Sequence, residues 1–273
     1  RLYFMAGDNN VRNVLLKIFE QINSKLFCVI QIGAADGKDH LNDVILRYGK
    51  KNDWTCLFVE PSILYFNALK ETYKDTKYLF ENSAISNRTE KAVFHRVFPR
   101  KTLEKINAIG FSNFDPAEIK DPKERKSFSK AYKRGSLVGS KYLLNITQKE
   151  TGEQPAFFRS AVDCLTLKDL LFKHSLKKLD FLHIDAEGYD CEIIKQIDFS
   201  SEFRPLVVCY EEWGGSKFKD GDDLSNKISL GPTSLSECRK LLLQNEYLIT
   251  TVESEDTTKN IIAVDTKRLS FDF

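Results

Sequence analysis

The chain has 273 residues, 42% hydrophobic and 29% charged, with 13 glycines and 7 prolines. That is the composition of an ordinary globular protein and excludes a disordered, collagenous or low-complexity one. Forty-one basic against thirty-nine acidic side chains leave a net charge of +2, too small for a global field that draws in nucleic acid or membrane.

Val14, Leu15, Ile18, Phe19 and Ile22 recur at helical spacing and predict an N-terminal helix within residues 11–26. The β-branched run Phe27 to Ile32 reads as a buried strand. The alternation goes on through strand Thr55 to Val59, helix Ile63 to Tyr73, a strand near Tyr78 to Phe80 and another at Ala92 to Val97, the pattern of a growing parallel sheet. After an irregular middle section come helix Leu167 to Lys173, strand Leu179 to Ile184, helix Tyr189 to Ile197 and strand Leu206 to Tyr210. Helix Ser234 to Gln244 leads into two strands, Tyr247 to Val252 and Asn260 to Asp265, close enough to pair antiparallel. The expected fold class is α/β, a mostly parallel sheet with an antiparallel hairpin at its C-terminal end. It is read as a single domain over residues 5–273, with Arg1 to Phe4 left out of the fold reading.

No apolar run approaches the roughly 18–20 residues of a membrane span and no basic-then-apolar leader is in view, so a soluble, cytoplasmic protein without a membrane partner is expected. The six cysteines form no Cys-x-x-Cys pair, and Cys28, Cys56 and Cys209 sit inside apolar strands, which points to free core thiols. Residues 100–154 break the alternation. Between Arg100 and Arg134 ten basic side chains face five acidic ones, and Asp115-Pro116 and Asp121-Pro122 favour short helices and turns. The segment reads as a helical insertion, either a solvated connection or a substrate lid.

Three strand ends collect residues suited to chemistry. Strand Val29 to Ile32 runs straight into Gly33-Ala34-Ala35-Asp36-Gly37, a turn in which glycines let the backbone approach a ligand, and ligands of open α/β sheets bind at such carboxyl ends. The next strand ends in Glu60-Pro61, and an ionised carboxylate there can accept both hydroxyl protons of a ribose. At the end of Leu179 to Ile184, Asp185, Glu187 and Asp190 crowd together, a costly arrangement unless a ligand or a proton transfer uses them. Asp190 and Glu192 also read as first-turn acids of the following helix, and His183 as a hydrogen-bonded core histidine. Glu211, Glu212 and Trp213 repeat the theme on the next strand. From Asp180 to Asp220 ten acids face four basic residues, a balance that suits a cationic cofactor or a metal.

These blocks, with Asn82-Ser83-Ala84-Ile85-Ser86, Val162-Asp163-Cys164-Leu165-Thr166-Leu167 and above all Ile184-Asp185-Ala186-Glu187-Gly188-Tyr189, resemble the S-adenosylmethionine-dependent methyltransferases of the FkbM type over about Phe27 to Val208. The resemblance implies a Rossmann-like class I fold with a seven-stranded sheet, S-adenosyl-L-methionine as cofactor, and a hydroxyl of a sugar or natural product as acceptor. It implies that Gly33 and Gly37 line the methionine side, that Glu60 holds the ribose and that Ser83 and Ala84 border the adenine. Gln31, Ala34, Asp36, Pro61 and Asp185 complete the cofactor set, Gln31 standing where many methyltransferases place an acid. Gly110-Phe111-Ser112-Asn113 resembles a further block of the family, which brings Ser112 and Asn113 to the acceptor side with Glu212 and Trp213.

The expected activity is O-methyl transfer to a hydroxyl of a sugar or glycan, with Asp185 and Glu187 as candidate bases and Glu212 in reserve. A metal on Asp185, Glu187 and Glu211 or Glu212 would be Mg²⁺ or Mn²⁺, since no histidine joins them in sequence, but no metal site is predicted. Two other readings stay open. One is a non-catalytic glycan- or protein-binding module on a methyltransferase fold, against which Gly33, Glu60 and Asp185 speak. The other is a nucleic-acid methyltransferase using the basic insertion; the chain lacks an Asn/Asp-Pro-Pro-Tyr/Phe block for base amines, so a nucleic-acid partner is not expected.

Overall fold

The computed structural model describes residues 11–22, 26–109, 122, 135–137, 141–213, 235–253 and 258–269. Helix α1 (Val11–Ile22) buries Val11, Val14, Leu15, Ile18 and Phe19, the single apolar stripe that the spacing predicts. Strands β1 (Cys28–Ile32), β2 (Thr55–Val59) and β3 (Leu79–Glu81) follow, linked by α2 (Asn42–Val44), which continues as a π-helical turn over Ile45–Gly49, and by α3 (Ile63–Thr72). Next come β4 (Ala84–Ile85), β5 (Glu90–Pro99), α4 (Arg100–Ile109), β6 (Gly135–Ser136), α5 (Lys141–Thr151) and β7 (Pro155–Leu165). The chain returns through α6 (Leu167–Lys173), β8 (Phe181–Ile184), α7 (Asp190–Ile194), β9 (Val207–Trp213), α8 (Leu235–Gln244), β10 (Tyr247–Glu253) and β11 (Thr258–Asp265).

Seven strands form one sheet in the order β10-β11-β9-β8-β1-β2-β3, in which β11 runs antiparallel to both neighbours. The fold class and the antiparallel C-terminal pair are those expected from the sequence. Strands β1 to β3 build outward on one side and β8 and β9 on the other, so the switch point lies between β1 and β8, where an open α/β sheet binds ligands. The central strands are buried on both faces because helices cover both. On one face Val29, Phe58, Phe181 and Cys209 pack with α1 and Trp54; on the other Ile30, Leu57, Leu182 and Tyr210 pack with Leu170, Ile193 and Leu242. Phe19 ties the first face together, its ring centroid 5.2 Å from Trp54 in a tilted pair and 5.1 Å from Phe181 edge to face, contacts worth about 0.5–1.5 kcal/mol each.

By internal packing the chain divides into two compact units, residues 1–90 with 163–273 and residues 91–162. Ala92–Val97, which the sequence places in the run of parallel strands, lies instead in β5 of a separate four-stranded sheet ordered β4-β7-β5-β6. Strand β7 is absent from the sequence-based expectation. Its residues 159–164 alternate exposed with half-buried or buried positions, and Arg159, Ser160 and Asp163 break the apolar run that marks the central strands. Within residues 91–162, Arg96 donates to Ser160 Oγ at 3.0 Å and stacks over the Phe94 ring, and Phe98 meets Phe158. Helices α4 and α5 accord with the helical insertion; residues 110–121 and 123–134, Ser112 and Asn113 among them, lie outside the described residues. All six cysteines are free and buried. Among the described residues no helix is long and apolar enough to cross a membrane.

Candidate active site

Past Ile32 the chain turns through Gly33 (φ +76°), Ala34, Ala35 (φ +46°) and Asp36 to Gly37 (φ +70°). The N–H groups of Gly33 and Ala34 both donate to the Val59 carbonyl, at 2.9 and 3.1 Å, so the loop folds over the end of β2. A Cβ on Gly33 would stand 1.9 Å from the Asp185 carbonyl oxygen. Only glycine, which also tolerates the positive φ, lets the ends of β1 and β8 approach this closely. Three side chains peg the loop from the other side. Asn42 Nδ2 and the Tyr73 hydroxyl donate to the Gly37 carbonyl at 2.8 and 3.3 Å, and Thr72 Oγ1 donates to the Asp36 carbonyl at 2.8 Å.

Glu60 follows β2 directly and is buried. Its Oε2 accepts the Ala35 N–H at 2.9 Å and its Oε1 the Ser62 N–H at 2.7 Å, so the carboxylate bridges the glycine turn and the start of α3. These two bonds use two of the roughly four acceptor sites of an ionised carboxylate. Asn82 Nδ2 donates to the Glu60 carbonyl at 2.8 Å. One residue on, Ser83 is buried with no hydrogen-bond partner for its Oγ, and Ala84 is buried in β4.

Asp185 follows β8, and its N–H donates to the Ile32 carbonyl at 2.9 Å, which sets it beside Gly33. Its side chain is open to solvent yet walled by protein, as the floor of a cleft is. That crowding, joined by the negative charges of Glu211, Glu187, Asp190 and Asp39, holds its carboxyl well above the usual carboxylate range. Glu187 (φ +50°) and Gly188 (φ +95°) make the turn into α7. Asp190 opens that helix as its sequence position predicts, but its carboxylate also accepts the N–H of Ala186 at 3.3 Å and of Glu211 at 3.2 Å. Burial and the Glu211 charge push its pKa up to about 7. A cluster of this kind attracts a cation and exchanges protons near neutral pH.

Residues 31–249, which include the glycine turn, Glu60 and the Asp185 cluster, match the Methyltransferase FkbM domain. The chain belongs to the FkbM methyltransferase family. Its sheet is a Rossmann-like methyltransferase sheet, and methyl transfer from S-adenosylmethionine is the chemistry of the family. Among solved structures it is similar to a delta-N METTL16 MTase domain, with 13% identity, 93% of this chain and 82% of that chain covered, and a TM-score of 0.39. The N-terminal domain of human METTL16 in complex with SAH shows 15% identity, 93% and 70% coverage and a TM-score of 0.42. A TehB-like SAM-dependent methyltransferase from Corynebacterium glutamicum shows 7% identity, 97% and 92% coverage and a TM-score of 0.38. A comparison with curated proteins finds no match.

The FkbM domain residues fit S-adenosylmethionine on the structure's own terms: a turn closed to side chains at Gly33, a buried carboxylate at the end of β2, and an orphaned buried hydroxyl at Ser83. Of the other residues singled out in the sequence, Asp36 Oδ1 accepts the Lys38 N–H at 3.3 Å and Pro61 separates Glu60 from Ser62. Gln31 is buried within β1 and donates through Nε2 to Asp39. Glu212 is held by Arg239 in a bidentate pair at 2.7 and 2.6 Å and accepts the Tyr210 hydroxyl at 3.1 Å. Trp213 is the last residue of β9. His183 is buried, but its Nδ1 has no hydrogen-bond partner, so it is not a fully bonded core histidine. The pegs Asn42, Thr72 and Tyr73 and the Asn82 contact escape sequence reasoning, since they meet partners 5 to 36 residues away through no local motif.

Proposed function

We propose that this FkbM domain transfers the methyl group of S-adenosylmethionine to a hydroxyl of a sugar or glycan, with residues 5–273 acting as one catalytic domain. The observation that carries the reading is the position of Asp185, a crowded carboxyl of raised proton affinity beside the Gly33 turn. Gly33, Ala34, Asp36 and Gly37 would line the methionine portion, Glu60 and Pro61 the ribose, and Ser83 and Ala84 the adenine. The cofactor, when bound, supplies an electrophilic methyl on a positively charged sulfur.

A hydroxyl is a poor nucleophile until its proton has somewhere to go. Asp185 is the group to receive it. Its carboxylate would be easier to ionise beside the cofactor's positive sulfur and would hold the proton more firmly once that charge is gone, because its other neighbours are acids. Glu187, in the turn that follows, is the second candidate. The geometry asks mainly for alignment, and the strand ends and pegged loop that surround Asp185 are rigid elements on which alignment is retained. Support for a carbohydrate acceptor comes from the family resemblance and from the sequence of the insertion, where Phe111, Phe114, Phe128 and Tyr132 are interleaved with basic residues. Ser112 and Asn113 are assigned to the acceptor on the same pattern. The six free thiols support a cytoplasmic location.

Calorimetric titration with S-adenosylmethionine tests the cofactor half. Glu60→Ala should weaken binding by about 1.5–3 kcal/mol, roughly ten- to 150-fold, with Glu60→Gln losing less; unchanged affinity in both removes Glu60 from the ribose site. Incubation with methyl-labelled cofactor and a host extract tests the acceptor half. Label in the carbohydrate fraction is expected, and label confined to nucleic acid or protein overturns the assignment.

A further inference from the structure

Beside the acid cluster lies a second group of polar side chains, of which His40, His183 and Cys209 have no part in the methyl-transfer assignment. Gln31 on β1, His183 on β8 and Cys209 on β9 are register partners across three parallel strands, so their side chains share one face of the sheet, and all three are buried. His40, from the loop after Gly37, brings its ring to 5.1 Å from that of His183. The ligand-capable atoms of His40, His183 and Cys209 lie within 4.8 Å of one another. His40 Nε2, His183 Nδ1 and Gln31 Oε1 are buried without a hydrogen-bond partner, and the two imidazoles do not bond to each other. A satisfied core leaves few such orphans, and three in one cluster call for a ligand other than a protein group.

We propose that His40 Nε2, His183 Nδ1 and Cys209 Sγ bind a Zn²⁺ ion, with a water in the fourth position. Two imidazole nitrogens and a sulfur suit a borderline-soft cation and not Mg²⁺ or Ca²⁺, which take oxygen. Tetrahedral bonds of about 2.0–2.1 Å to nitrogen and about 2.3 Å to sulfur set ligand atoms about 3.3–3.7 Å apart, so the cluster closes by a small inward shift, which the His40 loop can supply. Burial shifts both imidazoles toward the neutral form, the form in which a ring nitrogen binds a metal. The Cys209 thiol gives up its proton to solvent as the sulfur–zinc bond forms, which leaves a net charge of about +1 on the ion and its thiolate. Burial and the charges of Asp185, Asp39, Glu211 and Asp190 raise the Cys209 thiol in the metal-free chain, and the same acids ionise more readily beside the cation and so offset that remainder. Gln31 Nε2 is committed to Asp39, which leaves Oε1 to accept a hydrogen bond from the zinc-bound water.

This site adjoins the acids of the methyl-transfer reading but does not rest on that reading, and its test does not require activity. The full chain, stripped with chelator, is titrated with Co²⁺ alone and then with Zn²⁺ alone. One equivalent of Co²⁺ should give the visible bands of a tetrahedral ion and a near-ultraviolet sulfur-to-cobalt band, both displaced by Zn²⁺. Cys209→Ser should lose the sulfur band. His40→Gln, at a half-buried loop position that leaves the sheet intact, should weaken Zn²⁺ binding by at least about tenfold. Circular dichroism checks the fold of each variant, and if Cys209→Ser does not fold, the His40→Gln titration decides. Only the weak spectrum of an octahedral ion, a sulfur band that persists in Cys209→Ser, or equal Zn²⁺ affinity in His40→Gln overturns the proposal.

Discussion

Asp180 and Asp185 stand just before and just after the same strand, β8, and their surroundings differ in sign. Asp180 Oδ2 accepts the Cys28 N–H at 2.8 Å and lies 2.7 Å from Lys178 Nζ. At the same edge of the sheet Asp265, the last residue of antiparallel β11, is gripped by Arg204 at 2.6 and 2.9 Å, and Arg204 also donates to the Asn245 carbonyl and stacks over Tyr247. The amino edge thus meets each of these acids with a cation and an N–H, which is the arrangement that makes a buried carboxylate tolerable. At the carboxyl edge the charges that act most strongly on Asp185 are four further acids. One residue type, set at the two ends of one four-residue strand, fastens the sheet at one end and stores proton affinity at the other. Function is grafted on the edge where the fold leaves charge unbalanced.

The largest effect expected from disturbing this contrast is at Asp185. Asp185→Asn should lower turnover by about 10²–10⁴-fold with little change in the affinity of the demethylated cofactor, measured by single-turnover transfer and calorimetry. If the acid serves only to balance the sulfonium, the variant instead weakens S-adenosylmethionine more than the demethylated product while turnover holds. Full activity in both Asp185→Asn and Glu187→Gln removes the pair from the mechanism. The opposite edge should answer in stability. Arg204→Met strands Asp265 in a fully buried position, and a loss of about 3–5 kcal/mol is expected in urea unfolding, with cofactor affinity of the folded fraction unchanged. Loss of methyl transfer by folded Arg204→Met, without the loss of stability, would show that the two edges are not separate.

The contrast was only half legible in the sequence. Short-range period and β-branched composition mark β1, β2, β8 and β9, because strands buried on both faces read as continuous apolar runs. Their carboxyl ends are then legible too, since Gly33, Glu60 and Asp185 each follow such a run directly. What sets those residues' chemistry is not. The Arg239 pair that engages Glu212 spans 27 residues, the Arg204–Asp265 pair 61, and the Asp190 bond to the Glu211 N–H runs from α7 to β9. Strand β7 fails for the reverse reason, since it is half-exposed and its polar positions hide the alternation. His40 carries no local signal at all; it matters only because register sets His183 and Cys209 side by side.

The smallest effect, and the one that isolates a single member of the acid cluster, is a pH dependence of stability from Asp190. Burial and Glu211 raise its pKa from 3.8 to about 7, so between these values the folded state holds a proton that the unfolded state has released. The unfolded chain binds fewer protons in that window, and the sign of the linkage follows: this group's stabilisation is full below about pH 4 and is lost as pH rises to about 7, with a slope of at most about 1.4 kcal/mol per pH unit. Asp185, also raised, adds to the same slope. His183 opposes it, because an imidazole held neutral by burial and by His40 favours the folded state above its unfolded value and loses that contribution as pH falls. Wild-type stability alone therefore mixes these groups with others that burial shifts the same way as His183, His40 among them. The difference between wild type and Asp190→Asn separates them, since asparagine keeps one acceptor for the Ala186 or Glu211 N–H and cannot ionise. The lost second bond costs about 1 kcal/mol at every pH. On top of that offset, the variant should gain on wild type steadily from about pH 5 to about pH 7 and no further above it, read from urea unfolding at each pH. A difference that stays flat across the range would mean that Asp190 is ionised throughout and that the N–H groups of Ala186 and Glu211 outweigh its burial.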